Sequence, residues 1–546
     1  MKKLSKVLLY SLCISFIGIL AIGIQGYAGN HSRLLNPKPT SENEQMEENK
    51  KAHIEHIHRA APGTNWRQVE AGNAWNTYNA LQHRRASKTT STFAGGAFSG
   101  TWYERGNDNQ AGRMDAFAFL PGTNTLYGTS DGGSVWKTSL PAVSWAKVSD
   151  IAEFQPYALG AIQRGAGSRL FLSAGLNIWR TDDEGVTFDT SSTGIIWPVA
   201  WGGNYIYRII PVNDASHTIY CITFEWDDVT WSALFSLYSS TDSGLSYHRI
   251  RNFPYHIDNQ LSFATPLGSG TLYALGVSNS GGDTLFSITN SVVSVASVIT
   301  TFPSAANLVN MKCMQYGGTT HFYAIVGGSN VYHSTDFGSS WLLKSTVTAD
   351  NSYIIGVSSK DPDVVLYGIV NANRSTDSGA TWTLINPWGD YYGAPATKLH
   401  ADLRAFDFFQ YASGVEFGII GTDGGAYITN DQAATVQNIS LTGLHVNQLW
   451  DHITNPTDAN MVFGGAQDQG LQTTASAGGT GLINEDQILS GDYGHLRITG
   501  GGQYLVGIIP RRRPVFIQLA ERPQLPGRME PHWYSKARGW MDDANL

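Results

Sequence analysis

An eight-residue pattern that recurs along the chain limits the folds open to it. Its clearest copy runs from Ser375 to Trp382 and reads STDSGATW, or S-x-D-x-G-x-T-W. Close copies are TDDEGVTF from Thr181, STDSGLSY from Ser240 and STDFGSSW from Ser334, and weaker copies begin at Thr138 and Thr429. Repetition of one short motif predicts a fold assembled from similar units.

The spacing of the motif indicates the size of one unit. Copies begin at residues 138, 181, 240, 334, 375 and 429, a period of about 48 residues if the long interval holds two units. The unit that lacks a motif is expected near Leu272 to Ser291. This period is typical of four antiparallel strands forming one propeller blade. The sequence therefore predicts an all-β propeller of about seven four-stranded blades, plus an incomplete second propeller or extra blades.

The residues of the motif suit a turn between two strands. The Asp carboxylate can accept backbone N–H groups, the Gly can adopt the left-handed conformation, and the aromatic residue begins the next strand. A carboxylate used in this way has no proton to exchange with a substrate. We therefore expect a structural role for the motif aspartates Asp183, Asp242, Asp336, Asp377 and Asp431.

The composition of the chain and its lack of certain motifs exclude several classes of function. The chain has 59 Gly residues, 12% aromatic and 15% charged residues, which fits short strands joined by tight turns. The net charge is -8, and the repeat region has no basic stripe, so nucleic acid is not an expected partner. No Ser sits in a G-x-S-x-G nucleophile elbow, which joins a strand to a helix, and no H-E-x-x-H motif occurs, so neither mechanism is supported and no cofactor is expected.

The N-terminus has the features of an export signal. Lys2, Lys3 and Lys6 precede an uncharged run from residue 7 to 24, and small residues precede a cleavage point after Ala28. We expect a secreted or cell-surface protein, periplasmic or extracellular, with no membrane span after cleavage; an uncleaved anchor is the alternative. Cys221 and Cys313 would remain, as two buried thiols or as a pair in an oxidising compartment.

Changes in amino-acid composition along the chain suggest that it is divided into five segments. Residues 1–28 form the signal, 29–93 a polar linker and N-terminal extension, 94–410 a first propeller, and 411–508 the start of a second propeller or closing blades. Residues 509–546 become rich in Arg and Pro, beginning with Arg511 to Pro514, and lose strand alternation. An irregular tail is expected there, and a frameshift or truncation near Ile509 is one hypothesis for it.

Several motifs resemble a known family. The repeats, together with Asn109 to Met114, Thr129 to Thr138, His400 to Asp402 and Gly464 to Gly470, are similar to secreted proteins with BNR or Asp-box repeats, above all to an uncharacterised bacterial subgroup. The family includes sialidases, xyloglucan-hydrolysing endoglucanases and the sortilin ectodomain. The resemblance spans roughly Gly63 to Arg497 and implies a propeller that binds polysaccharide or an extracellular protein. The eight-residue motif is called the Asp-box below.

Two units carry Asp-Gly-Gly just before their Asp-box, with the acids Asp131 and Asp423. Successive turns of an antiparallel blade alternate between its ends, so both acids are expected on the rim opposite the Asp-boxes. Asp-Gly is also the commonest hairpin dipeptide and needs no function. In the xyloglucan-hydrolysing family a similar Thr-Asp-x-Gly-Gly stretch supplies a catalytic carboxylate. The resemblance implies Asp131, with Asp423 as partner, for an inverting glycosidase, which is the alternative to binding alone.

Several other polar and aromatic residues have more than one possible role. Asp468 and Asp492 could be turn residues or oxygen ligands for calcium, but no D-x-D-x-D-G run occurs and no metal site is predicted. Arg208, in a stretch only loosely similar to a sialidase motif, is interpreted as an ordinary strand residue. Aromatic residues that could stack on sugar rings are Trp201, Trp226, Trp231, Trp388, Tyr391 and Tyr392.

Overall fold

The structure is a computed structural model of the 546-residue chain. It describes residues 104–508 apart from 150–153, 166, 175, 197–203, 228–231, 254–259, 278–281, 304–307 and 349–353, together with 515–519 and the strands β1 (Thr92–Phe93) and β2 (Phe98–Ser99). The described strands belong to one compact unit. The predicted signal segment and residues 29–91 of the predicted linker lie outside the described part of the chain.

Most strands are grouped in consecutive four-stranded antiparallel sheets, called blades here. Blade 1 contains β3 (Met114–Leu120), β4 (Thr125–Ser130), β5 (Val135–Ser139) and β6 (Ala146–Ser149), and blade 2 contains β7 (Phe154–Arg164), β8 (Gly167–Ala174), β9 (Asn177–Thr181) and β10 (Asp189–Thr190). Blade 3 contains β11 (Tyr205–Pro211), β12 (Ile219–Asp227), β13 (Ser232–Ser240) and β14 (His248–Phe253). Blade 4 contains β15 (Leu261–Ala264), β16 (Thr271–Gly276), β17 (Asp283–Thr289) and β18 (Val292–Ile299).

Blades 5 to 8 and one shorter sheet follow in the same order. Blade 5 contains β19 (Val309–Tyr316), β20 (Thr319–Val326), β21 (Asn330–Ser334) and β22 (Leu342–Thr346), and blade 6 contains β23 (Ile354–Val357), β24 (Val365–Gly368), β25 (Ala372–Ser375) and β26 (Thr383–Leu384). Blade 7 contains β27 (Leu403–Gln410), β28 (Glu416–Thr422), β29 (Gly425–Thr429) and β30 (Gln437–Asn438), and blade 8 contains β31 (Leu449–Asn455), β32 (Asp458–Ala466), β33 (Gly470–Thr474) and β34 (Asp486–Leu489). The three-stranded sheet contains β35 (Leu496–Thr499), β36 (Tyr504–Gly507) and β37 (Val515–Gln518).

Seven hydrophobic clusters join the first seven blades into a closed ring. Each cluster takes its buried side chains from two adjacent blades, from blades 1 and 2 through to blades 6 and 7. The seventh cluster joins blade 7 back to blade 1, with Phe417 and Ile428 packed beside Met114 and Trp136. The predicted all-β propeller is thus confirmed. Because the ring closes, blades 1 and 7 cover each other's outer faces, as every other pair of neighbouring blades in the ring does.

The chain leaves the ring after blade 7 and builds further sheets. Ile439, Leu444 and Val446 pack into the cluster between blades 7 and 1, and Trp145 of blade 1 donates its indole N–H to the Ile439 carbonyl at 2.6 Å. Blade 8 and the three-stranded sheet share a separate core that includes Phe463, Tyr493 and Leu505. They fit the prediction of an incomplete second propeller or extra blades.

The strands can be compared with three of the predicted segment boundaries. Gln410 is the last residue of β27, so the division between 410 and 411 falls between two paired strands of blade 7, a blade that the ring needs for closure. Strand β1 falls inside the predicted linker and pairs with β2. Within the predicted irregular tail, β37 pairs antiparallel with β36; residues 509–514 and 520–546 lie outside the described chain.

The Asp-boxes form the turn between the third and fourth strands of their blades. In the copy at Ser375, the Asp377 carboxylate accepts the Thr381 N–H at 2.8 Å and hydroxyl at 2.6 Å, while the Ser375 hydroxyl donates to Asp377 and accepts the Gly379 N–H. Gly379 has φ +83°, as predicted. The aspartates of the other boxes make the same bonds: Asp183, Asp242, Asp336 and Asp431.

The unit without an Asp-box is blade 4, as the spacing predicted. Its β17 and β18 are joined directly through Asn290 and Ser291, which have φ +51° and +62°. Cys221 and Cys313 are buried free thiols in blades 3 and 5, which is the first of the two alternatives given for them above. Within the described ranges, no helix has the length and apolar character needed to cross a membrane.

Candidate functional site

The two acids predicted to share a rim are brought together where the ring closes. Asp131 lies in the turn between β4 and β5 of blade 1, and Asp423 in the corresponding turn of blade 7. The turn after a blade's second strand lies at the same end of the sheet as the start of its first strand. Side chains that precede or begin β3 and β27 therefore complete the same region, which we call the seam site.

Arg113 connects the two predicted acids. Its Nη1 is 3.5 Å from a carboxylate oxygen of Asp131, and its Nε is 3.6 Å from one of Asp423. The same Nε donates to Asp115 at 2.7 Å. One guanidinium group therefore lies among three carboxylates, a geometry that suits the fixed fork of an arginine.

Asp423 is buried and tightly paired. Arg404 of β27 donates to both of its oxygens, from Nε at 2.5 Å and Nη2 at 2.8 Å. Burial alone would raise the pKa of Asp423, but the Arg404 guanidinium outweighs it and holds the pKa below the usual range. A carboxylate only 2% exposed in its side chain, with both oxygens bidentately bound, stays ionised and in place.

Asp115 is a further acid of the site that the sequence reasoning missed. It lies on β3, its side chain is 1% exposed, and burial raises its pKa to about 6 despite the charge of Arg113. Its Oδ2 has no hydrogen-bond partner among the described residues. The available signal was a single charged residue inside the apolar strand sequence MDAFAFL, since an isolated buried charge needs a partner.

Asp131 is the most accessible of these acids, with 35% of its side chain exposed. Gln448, just before β31 of blade 8, donates its amide to Asp131 at 2.6 Å. Leu449 and Trp450 follow it, and both are exposed. Blade 8 therefore borders the seam site and holds Asp131 from the side opposite Arg113.

A second group of acids lies on the other side of Asp423. Carboxylate oxygens of Asp402, Asp423 and Asp468 lie within 4.8 Å of one another. Asp402 precedes β27, and Asp468 lies in the β32–β33 turn of blade 8, where its N–H donates to Asp492 at 2.9 Å. Burial and the charge of Asp423 raise the pKa of Asp402. The sequence singled out Asp468 and Asp492 but gave no sign that they meet Asp423, since they are distant along the chain.

An aromatic group lies beside these acids. A 3-10 helix spans Trp388–Gly393, and Trp388 is 45% exposed. Its ring meets Tyr392 edge to face at 6.0 Å, and the Tyr392 hydroxyl donates to the Asp468 carbonyl at 3.4 Å. Tyr391 is buried and donates to Gln469. Trp388 is thus the exposed member of an aromatic group anchored on blade 8.

The structure leaves other predicted residues outside the seam site. The side chains of Trp201, Trp226 and Trp231 lie outside the described part. Arg208 lies over the ring of Tyr207 at 5.3 Å, as a residue of strand β11. The five Asp-box aspartates lie in the turns that end the third strands, at the opposite rim from Asp131 and Asp423.

Comparison with known proteins gives likenesses of fold. The sequence matches no model of a known protein family, and no curated protein matches it. Two solved structures are similar. YCF48 bound to a D1 peptide has 14% identity and a TM-score of 0.40, over 64% of this chain and 99% of that one. The GH74 enzyme of Niastella koreensis has 14% identity and a TM-score of 0.25, over 74% of each chain. Both likenesses concern the propeller fold alone.

Proposed function

We propose that this protein is exported and binds a polysaccharide at the seam site. The observation that carries the proposal is the position of Trp388, an exposed ring that packs on Tyr392, whose hydroxyl in turn binds the backbone of Asp468 at the border of the seam site. An indole ring offers a flat apolar face for a sugar ring, and fixed polar groups beside it can bind hydroxyl groups. The export signal predicted from the sequence of residues 1–28 favours an extracellular ligand.

Trp388 is held in a defined position. Its backbone N–H donates to the Asn371 side chain at 2.8 Å, and Tyr392 packs against the ring from below. A ring that is already ordered loses little conformational freedom when a ligand binds. The aromatic group is therefore suited to recognise a regular surface such as a chain of sugar rings.

The seam site also offers polar groups of both signs. Asp131 is accessible, and Arg113 and Arg404 are partly exposed beside it. Carboxylates accept hydrogen bonds from sugar hydroxyl groups, whereas guanidinium groups donate to hydroxyl and ring oxygens. This mixture favours a neutral or weakly charged polysaccharide over a strongly anionic one, because the acids of the site outnumber its arginines.

The alternative, inverting hydrolysis by Asp131 and Asp423, has less support from the geometry. A general acid and a general base must both reach the scissile bond or its water. Asp423 is 2% exposed in its side chain and binds Arg404 with both oxygens. Asp115 has the raised pKa of an acid, but its side chain is 1% exposed. Of these three acids, Asp131 alone is placed to touch a polymer, and one reachable carboxylate among them suits binding.

The experiment that tests the proposal separates binding from hydrolysis. Purified full-length protein is run through native gels containing soluble β-glucans and other polysaccharides, and the same mixtures are assayed for new reducing ends. We expect retardation by at least one polysaccharide without release of reducing ends. Release of reducing ends that Asp131→Asn and Asp423→Asn both abolish would instead support the inverting mechanism.

A further inference from the structure

Asp402, Asp423 and Asp468 converge from three separate elements of the fold. They come from the segment before β27, the β28–β29 turn and the β32–β33 turn, and their carboxylate oxygens lie within 4.8 Å of one another. Two oxygens that are each 2.3 to 2.6 Å from one calcium ion can be at most about 5 Å apart. The three carboxylates therefore have the spacing of ligands to a single ion.

The charges of this group are not balanced by its arginines. Asp492 adds a fourth carboxylate, bound to the backbone N–H of Asp468. Arg404 pairs with Asp423, and Arg113 approaches Asp423 only at 3.6 Å. Like charges this close repel unless a cation or a proton lies between them. A divalent cation would neutralise the group without protonation.

His400 gives an independent indication of a ligand in this place. It is 3% exposed and packs directly on Gly424, since a Cβ there would lie 2.3 Å from its ring. The ring thus lies beside the turn that carries Asp423, two residues before Asp402.

One ring nitrogen of His400 has a partner and the other does not. Nδ1 lies 3.0 Å from the Ala401 carbonyl oxygen, which can only accept, so Nδ1 donates to it. Nε2 is buried and has no hydrogen-bond partner among the described residues. A buried, unpartnered ring nitrogen beside Asp402 and Asp423 suits a water molecule that is bound to a cation.

We propose that Asp402, Asp423 and Asp468 bind a calcium ion, with His400 accepting a hydrogen bond from a water of that ion. Carboxylate oxygens are the ligands that calcium prefers, and an irregular group from three loops suits its flexible coordination. Zinc is less suited, since it favours nitrogen and sulfur ligands in a tetrahedral arrangement. The ion would connect blade 7 of the ring to blade 8, a role separate from polysaccharide binding.

Terbium luminescence offers a direct test, because terbium replaces calcium and is excited by nearby aromatic rings such as Tyr392 and Trp388. The full-length protein is first dialysed against EDTA and then titrated with terbium alone. We expect saturable luminescence that calcium displaces, and a rise in melting temperature on addition of calcium. Asp402→Asn and Asp468→Asn are expected to weaken binding about tenfold or more.

The controls keep the test decisive. Asn suits the left-handed backbone at Asp402 (φ +60°) and Asp468 (φ +63°), so both variants should fold. The melting temperature without calcium checks this. If one variant does not fold, the other still tests the ion site. Asp189→Asn changes an exposed acid on β10 and should leave terbium binding unchanged. Absence of saturable binding in the wild type, or equal binding in all variants, would overturn the proposal, whatever the result for polysaccharides.

Discussion

Asp131 and Asp423 lie on different blades yet contact two nitrogens of one guanidinium group, that of Arg113. This relationship places both acids at the point where blade 7 meets blade 1. Their exposure differs greatly, at 35% and 2% of the side chain. The seam site therefore has one acid that a ligand can touch and one that holds the arginines in position.

Arg404→Ala should destabilise the protein by about 2 to 4 kcal/mol, because it leaves the Asp423 carboxylate buried without its main partner. Arg404 is partly exposed, so the loss stays below that of a fully buried pair. Urea unfolding at pH 7 measures the change. Arg497→Ala, which removes an exposed pair with Asp451, is the control and should change stability by less than about 0.5 kcal/mol. Equal effects would contradict the role given to Arg404.

Asp115 should make stability fall with rising pH between about 4 and 6. Burial raises its folded pKa to about 6, above the unfolded value of about 3.9, so the native state retains a proton that the unfolded state has lost. Its contribution is complete below pH 4 and is lost as pH rises through 6.

Asp115→Asn removes this dependence. Relative to wild type, the variant should gain about 2 to 3 kcal/mol between pH 4 and pH 8, by the free energy of a two-unit shift. Melting temperatures at both pH values measure the difference, with Asp189→Asn as the exposed control. A difference between variant and wild type that does not change with pH would refute the buried, protonated state of Asp115.

The Asp-box carboxylates should have the opposite pH dependence. Hydrogen bonds from Thr381 and Ser375 lower the pKa of Asp377 to about 2, below its unfolded value. Its stabilising contribution is therefore complete above about pH 4 and is lost as pH falls towards 2. Acid unfolding followed by circular dichroism should show a midpoint that moves to higher pH in Asp377→Asn. An unchanged midpoint would show that the carboxylate contributes nothing to the turn.

Gly112→Ala should disrupt the closure of the ring. An added Cβ would lie 1.9 Å from the Val446 carbonyl oxygen, so the backbone after blade 7 would have to move, at a cost of about 1 to 3 kcal/mol or more. Gly132→Ala is a matched control, since its nearest neighbour would be 3.9 Å away. Similar melting temperatures for the two variants would argue against close contact at this position.

The repeat spacing was sufficient to predict the blades because each Asp-box marks one turn of one blade. It also placed Asp131 and Asp423 on one rim, since that follows from counting strands. That Asp402, Asp423 and Asp468 meet could not be predicted from the sequence, because their contact depends on where the ring closes and on how blade 8 packs beyond it. Asp115 was missed for a related reason: its burial depends on the packing of blade 1 against blade 7, which its neighbours in the chain do not show.

The most direct test of the proposed function is the affinity of full-length protein and of Trp388→Ala for the polysaccharide that retards the wild type most. We predict a loss of about tenfold, or ~1.4 kcal/mol, when the exposed ring is removed. Tyr316→Ala, which truncates another exposed aromatic residue on blade 5, should bind like the wild type. Unchanged affinity of Trp388→Ala, or no retardation of the wild type by any polysaccharide, would contradict the assignment of the seam site as a polysaccharide-binding surface.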